Sequence, residues 1–267
     1  MRTTPGATAI ATLAIVVGGL VAVGSVTSAA ASTLASASVH TSTRTADVAG
    51  VSALDAELGA GSLRVEYADV AEATLAVTSG SGADRWTLRR DGDELVVRTP
   101  QNGIWDWGWD GWFDHGSGQA VLQLPRRLEG MDATLDVSAG SLACRGGFGR
   151  LELSASAGQL TVDGSADALS VELSAGRAEL TLSGVRTADL QISAGDMDAT
   201  FSGAQPQRMT LAATAGSMKV TVPQGAYDVD ADTSAGSFEN RVGSTPGASS
   251  SVRVEVSAGR IVLQPSR

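Results

Sequence analysis

Four of the five tryptophans in this 267-residue chain fall within eight residues. They are Trp105, Trp107, Trp109 and Trp112, in the stretch NGIWDWGWDGWFDHGSG. Indole rings this close together can stack on sugar rings, enter a membrane interface or grip a protein partner. The same rings could also pack as a satellite core beneath a long insertion. Asp and Gly alternate with the tryptophans, which argues for partial exposure, because a loop built only for packing has little use for acids. These four are the candidate binding residues, in an insertion loop spanning 101–118.

Other residue types could do chemistry, but their spacing argues against it. The carboxylates Asp136, Glu172, Asp189, Asp230, Asp232 and Glu255 fall on one outward strand face. Calcium needs six to eight oxygens converging on a point, and the glycine-rich nonapeptide that wraps calcium between coils is missing. A solvated face without a metal is expected. Cys144, the only cysteine, lies in an apolar alternation and reads as a small buried hydrophobe. A catalytic thiol would need a histidine beside it, and the two present, His40 and His115, lie in a linker and in the Trp-rich loop. There is no Ser-His-Asp order, no phosphate-binding or dinucleotide-binding glycine pattern, and no His/Cys metal spacing. No acid pair with a cation can be placed for polysaccharide cleavage. The expectation is a protein that is not an enzyme, with no catalytic residues and no cofactor.

Composition points the same way. Acidic residues outnumber basic ones by 29 to 19, a net charge of -10, which opposes nucleic-acid or anionic-lipid binding. Membrane contact is then expected only through the N-terminal segment. Arg2 is the sole charged side chain before Arg44, and residues 7–26 are almost wholly apolar. Residues 1–31 read as a hydrophobic leader helix, either a signal peptide cut after Ala31 at an A-x-A site or an uncleaved anchor of about 20 residues. The Ser/Thr/Ala-rich residues 32–46 read as a flexible linker.

The elements that must position these groups are set by a repeat. Ser/Thr-Ala-Gly recurs with its glycine at Gly140, Gly158, Gly176, Gly195, Gly216, Gly236 and Gly259, at steps of 18, 18, 19, 21, 20 and 23 residues. Three before each glycine stand Val137, Ala155, Leu173, Ile192, Ala213, Thr233 and Val256, and five before it Leu135, Leu153, Val171, Leu190, Leu211, Ala231 and Val254. This is the period-two pattern of a strand with one buried face. Beyond the glycine the phase jumps, with apolar residues two and four after it, as in Leu142 and Cys144. A corner at the glycine keeps both sets inside, with the alanine expected on the crowded inside of the bend. A unit of about 19 residues cannot bury its inner face alone, so the units must stack. The reading is an all-β, single-domain parallel β-solenoid (β-helix) of about seven coils over 47–267, with a β-rich N-terminal cap. Asp91-Gly92 reads as a tight turn in that cap. The sixth coil, with Thr233 and Asn240 at inward positions, is expected to be looser, or else to have Asn240 satisfied by backbone groups or water. Stacking in chain order would leave Ile261–Leu263 as the exposed last strand.

The successive "VSAGSL", "SASAGQLTVDGSA", "VELSAGRAELTLSGV" and "DTSAGSFENRVG" resemble the bacterial adhesin-like family of domain-of-unknown-function proteins, over about 48–267. The resemblance implies a β-solenoid outside the cell or at its surface. It carries no catalytic residues. The expected function is that of a non-enzymatic, exported cell-surface or envelope protein, adhesin-like, that binds a protein or glycan partner. The alternative is an envelope carbohydrate-binding or stress-response module using the Trp-rich loop.

Overall fold

Alternating apolar and polar residues, interrupted by glycine at near-regular intervals, build strands and little else. The computed structural model describes residues 40–79, 83–99 and 118–266. Among these there is no α-helix, only two 3-10 turns, Ala83–Arg85 and Arg126–Leu128. No helix of the described residues is long and apolar enough to cross a membrane. The expected leader lies outside the described residues, as do most of the linker and the Trp-rich segment.

Among the described residues fourteen strands join in one continuous sheet. At its centre β7 (Asp132–Ser183) winds through several corners without leaving the hydrogen-bonded ladder. β2 (Ala53–Ala68) runs parallel to its first part, and the register passes straight through the corner: Leu58 beside Val137, Gly61 beside Gly140, Leu63 beside Leu142. β8 (Thr187–Ser202) repeats this on the last part of β7, with Leu173 beside Ile192 and Gly176 beside Gly195. β9 (Arg208–Ala213) and β10 (Ser217–Val222) then stack on the two halves of β8. The result is a solenoid-like stack of rungs with two walls meeting at the glycine corner.

Columns of like side chains fill the space between the walls. Before the corner, Leu58, Val137, Leu173, Ile192, Ala213 and Val256 are each no more than 3% exposed. After it, Leu63, Leu142, Leu160, Ala178, Met197, Met218 and Ile261 are each no more than 2% exposed. The inward positions read from the repeat are therefore the core. The corner alanines are not. Ala139, Ala157, Ala175, Ala194, Ala215, Ala235 and Ala258 are all exposed. The inward residues flanking the bend stand at three before and two after the glycine, and the four residues between them run around the outside. The glycine's unusual backbone angle changes the pleat phase there, so no side chain of the triplet needs to point in.

Stack order departs from chain order at both ends. β14 (Arg260–Pro265) lies between β10 and β12 (Ser237–Asn240). β13 (Ser250–Val256) likewise lies between β9 and β11 (Tyr227–Thr233). The exposed last strand is thus not Ile261–Leu263, whose Ile261 and Leu263 are fully buried. The open edge belongs to β11 and β12, the sixth triplet-bearing unit. Its polar inward residues are why. Thr233 is solvent-exposed there, and the side chain of Asn240 accepts from the amides of Val242 (3.0 Å) and Gly243 (3.1 Å) and donates to Gly243 O (3.0 Å). A rung with such residues is stable at an end and costly in the middle, where buried polar groups must all be paired.

The N-terminal end is built the same way. β2 lies between β7 on one side and, on the other, β5 (Glu94–Arg98) and β6 (Gln119–Pro125). Three antiparallel strands finish this end: β4 (Thr87–Asp91) on β5, β3 (Ala73–Ser79) on β6, and β1 (His40–Ala46) on β3. The hairpin foreseen at Asp91-Gly92 is present, its turn formed by Gly92 and Asp93 with Gly92 at φ +64°. Residues 40–46, read as linker, are instead β1. Their β-branched threonines favour extended backbone, and Ala46 packs against the core.

Candidate functional site

The corner is a column of backbone with almost no free space. Gly140 sits at φ +128°, and a Cβ there would lie 1.9 Å from the carbonyl oxygen of Gly61. Gly158 would meet Gly140 O at 2.1 Å, Gly176 would meet Gly158 O at 1.9 Å, and Gly195 would meet Gly176 O at 2.0 Å. Real Cβ atoms never come so close. Past Gly195 the corner glycines no longer share the positive φ, but the crowding persists: Gly259 would meet Gly216 O, and Gly236 would meet Gly259 O, both at 2.3 Å. The triplet is reused because each glycine backbone rests on the next. Its serine or threonine and its alanine face solvent, so the triplet itself presents a small, uncharged surface.

In one rung the described residues stop on either side of this corner. Thr99 follows β5, and Gly118 precedes β6. Thr99 N donates to Glu57 O (3.2 Å), and Thr99 Oγ1 accepts from Gly59 N (2.8 Å). Ser62 N donates to Gly118 O at 2.9 Å. In β2 only Gly59 and Ala60 separate the levels of these two contacts; in the neighbouring rung, residues 100–117 do. Thr99 and Gly118, which flank in sequence the segment containing Trp105, Trp107, Trp109 and Trp112, thus both lie at the corner column. Those four residues, and His115, lie outside the described residues. Trp86, which the sequence did not single out, is buried at 3% exposure and packs its Nε1 edge against Gly118.

The outward carboxylates stand on the wall before the corner, as expected, but in two parallel columns rather than one cluster. Asp136 neighbours Glu57, and Asp232 neighbours Glu255 in register. Asp230 neighbours Arg253. Among the described residues no three His, Cys, Asp or Glu side chains gather closely enough to hold a metal ion. The densest charge lies beside the insertion. Arg98 donates from Nη2 to Asp55 Oδ2, from Nη1 to Asp55 O (3.2 Å), and faces Glu57 Oε2 across 3.4 Å. Burial raises the carboxyl of Asp136 above its ordinary value, and repulsion from Asp55, Glu57 and Glu152 adds to this, while Arg98 opposes it. On the second wall, Lys219 pairs with Asp198 (2.8 Å) and Arg177 with Asp196 (3.7 Å) across adjacent rungs.

Cys144 is buried in the inward column, 1% exposed, and burial pushes its thiol up to about 12. It stays a neutral thiol at physiological pH, consistent with its reading as a packing residue.

An all-β stack of in-register rungs with a small-residue corner and a polar outer surface defines a class of repeat protein. The particular family follows from comparison: residues 113–259 match the sequence model of the Toastrack DUF4097 family, and the chain belongs to it. No curated protein matches the chain. Several crystal structures are similar to the chain at low identity. A "putative adhesin" from Parabacteroides merdae is 11% identical with a TM-score of 0.48, covering 84% of this chain and 95% of that one. A "putative cell adhesion protein" from Clostridium sporogenes is 10% identical with a TM-score of 0.43, covering 86% of this chain and all of that one. A "putative lipid binding protein" from Parabacteroides distasonis is 15% identical with a TM-score of 0.43, covering 86% and 97%.

Proposed function

We propose that this protein is a non-enzymatic, exported protein of the cell surface or envelope that uses the outside of a solenoid of about seven triplet-bearing coils to hold a partner, as an adhesin does. The observation that carries this reading is the division between inside and outside. Inward columns are closed by Leu, Val, Ile and Met side chains, so a ligand meets the outer walls, the corner ridge or the loops. Export rests on the apolar run at 7–26 and the A-x-A site before Ser32; an uncleaved run would serve as the anchor. The partner is a surface protein or a glycan, held without a cofactor or a metal.

A second reading is favoured by one observation, the position of Thr99 and Gly118, the residues on either side of 100–117, at the corner column. A tryptophan-rich segment joined to the stack at that point suits a carbohydrate-binding or stress-response module of the envelope. One experiment separates the two. Full-length protein and the Trp105→Ala/Trp107→Ala/Trp109→Ala variant are screened on glycan arrays and for attachment to cells. Saturable glycan binding lost in the variant, with its melting temperature retained, supports the loop. Cell attachment unchanged in the variant assigns contact to the walls. Attachment to neither surface would overturn both readings, and depolymerisation of a polysaccharide would overturn the non-enzymatic assignment.

A further inference from the structure

We propose that residues 250–266 form an exchangeable rung, and that the slot they occupy accepts the same rung from a second copy of the chain. The slot is a product of the inverted stack order. β9 and β10 form one side of it, and β11 and β12 the other. Ser257 N and Arg260 N donate to Ala213 O (3.0 Å) and Gly216 O (2.9 Å) on the first side. Ser234 N and Ser237 N donate to Val256 O and Gly259 O, both at 2.9 Å, on the second. Val252, Val254, Val256, Ile261 and Leu263 seal the interior.

The rung is tied to the rest of the described chain through residues 241–249 alone. This hinge carries Pro246 and two glycines with left-handed backbone, Gly243 at φ +79° and Gly247 at φ +78°. Every contact of the rung with the slot is the same whichever copy supplies it, so exchange changes only the hinge. What holds the hinge closed is a short set of bonds to the edge strand. Thr245 N donates to Tyr227 O (2.7 Å), Gly247 N to Asp228 Oδ2 (2.9 Å), and Val229 N to Ser244 Oγ (3.1 Å).

The occupant is specified by the slot itself. Gly216 and Gly236 flank the corner position, where a Cβ on Gly259 would lie 2.3 Å from Gly216 O. An acceptable strand therefore needs glycine there, with apolar residues three and five before it and two and four after. Residues 250–266 supply that pattern and also hang on a glycine-containing hinge. The resident rung has an effective concentration of about millimolar through its short tether. Exchange therefore belongs to crowded chains folding together.

The test uses two full-length chains in a Cys144→Ala background, one carrying Thr210→Cys and the other Arg253→Cys. These positions are registered neighbours on adjacent rungs. The chains are unfolded, mixed, refolded at high concentration and treated with a short bismaleimide. The expected result is a cross-linked dimer whose yield falls on dilution, with none from a Thr134→Cys/Arg253→Cys pair. Refolded monomers without the 210–253 dimer overturn the proposal. Where refolding is poor, the two chains are co-expressed and cross-linked after purification, with the same two outcomes. A hinge shortened by deleting Ser244–Pro246 should shift the folded protein to dimer in light scattering; a native-like monomer would overturn the proposal as well.

Discussion

Gly158 shows how far single residues decide this fold. An added Cβ would stand 2.1 Å from Gly140 O, on a backbone at φ +153°. Neither neighbour can give way, since both belong to ladders. Gly158→Ala should cost about 2–4 kcal/mol, lowering the melting temperature by about 4–16 °C. Gly184 has an equally unusual φ of +75° but nothing within 4 Å, so Gly184→Ala should cost only about 1–2 kcal/mol. Equal losses in the two melts would remove crowding as the reason for the corner. Asp136 makes a different point. Burial and then its acidic neighbours raise its carboxyl above the ordinary 3.8. The folded state therefore holds the proton more tightly than the unfolded chain does, and stability falls as pH rises from about 4 through the folded value. That loss is complete at neutral pH. Asp136→Asn should stabilise the protein at pH 7 by under about 1 kcal/mol, given the partial exposure, and should give no gain at pH 3. Thermal melts at the two pH values check this.

At the scale of elements, the informative contrast is between an inner rung and the end rung. Val256 and Thr233 share one column, but Val256 is 3% exposed and Thr233 faces solvent. Val256→Thr should cost about 1–3 kcal/mol by burying a hydroxyl, whereas Thr233→Val should stay within about 0.5 kcal/mol. Reversed magnitudes in paired melts would contradict the stack order. The same residues show what could be read in advance. Corner glycines, inward columns and the hairpin after β4 were legible, because local alternation and glycine spacing encode them. Exposure of the corner alanines was not, because it depends on a pleat-phase change set by a backbone angle. The inverted order has a signal in the sequence: Thr233 and Asn240 mark a rung that belongs at an end, and chain-order stacking would bury both. β1 was hidden by a Ser/Thr composition that suits edge strands and linkers alike. Of the candidate site, the four tryptophans were legible as a cluster in sequence, but not that Thr99 and Gly118 on either side of them stand at the corner.

For the molecule as a whole, the outer walls carry charge in mixed order. Arg177–Asp196, Arg186–Asp167 and Lys219–Asp198 all bridge rungs, with side chains roughly half or more exposed. Such pairs are each worth about 0–1 kcal/mol, and screening them also relieves the self-repulsion of a chain with net charge -10. Raising NaCl from 0.05 to 1 M, where the Debye length shrinks to about 3 Å, should move the melting temperature by less than about 4 °C. A larger fall would show that the ion pairs, not the apolar columns, hold the rungs together. The inverted order of the final rungs also has a consequence in time. Residues 227–240 leave the ribosome before their only ladder neighbour exists. Synthesis proceeds at about 5–20 residues per second, so this segment waits on the order of seconds for residues 250–266. Its aspartates, Asp228, Asp230 and Asp232, put like charge along the bare strand edge during that interval.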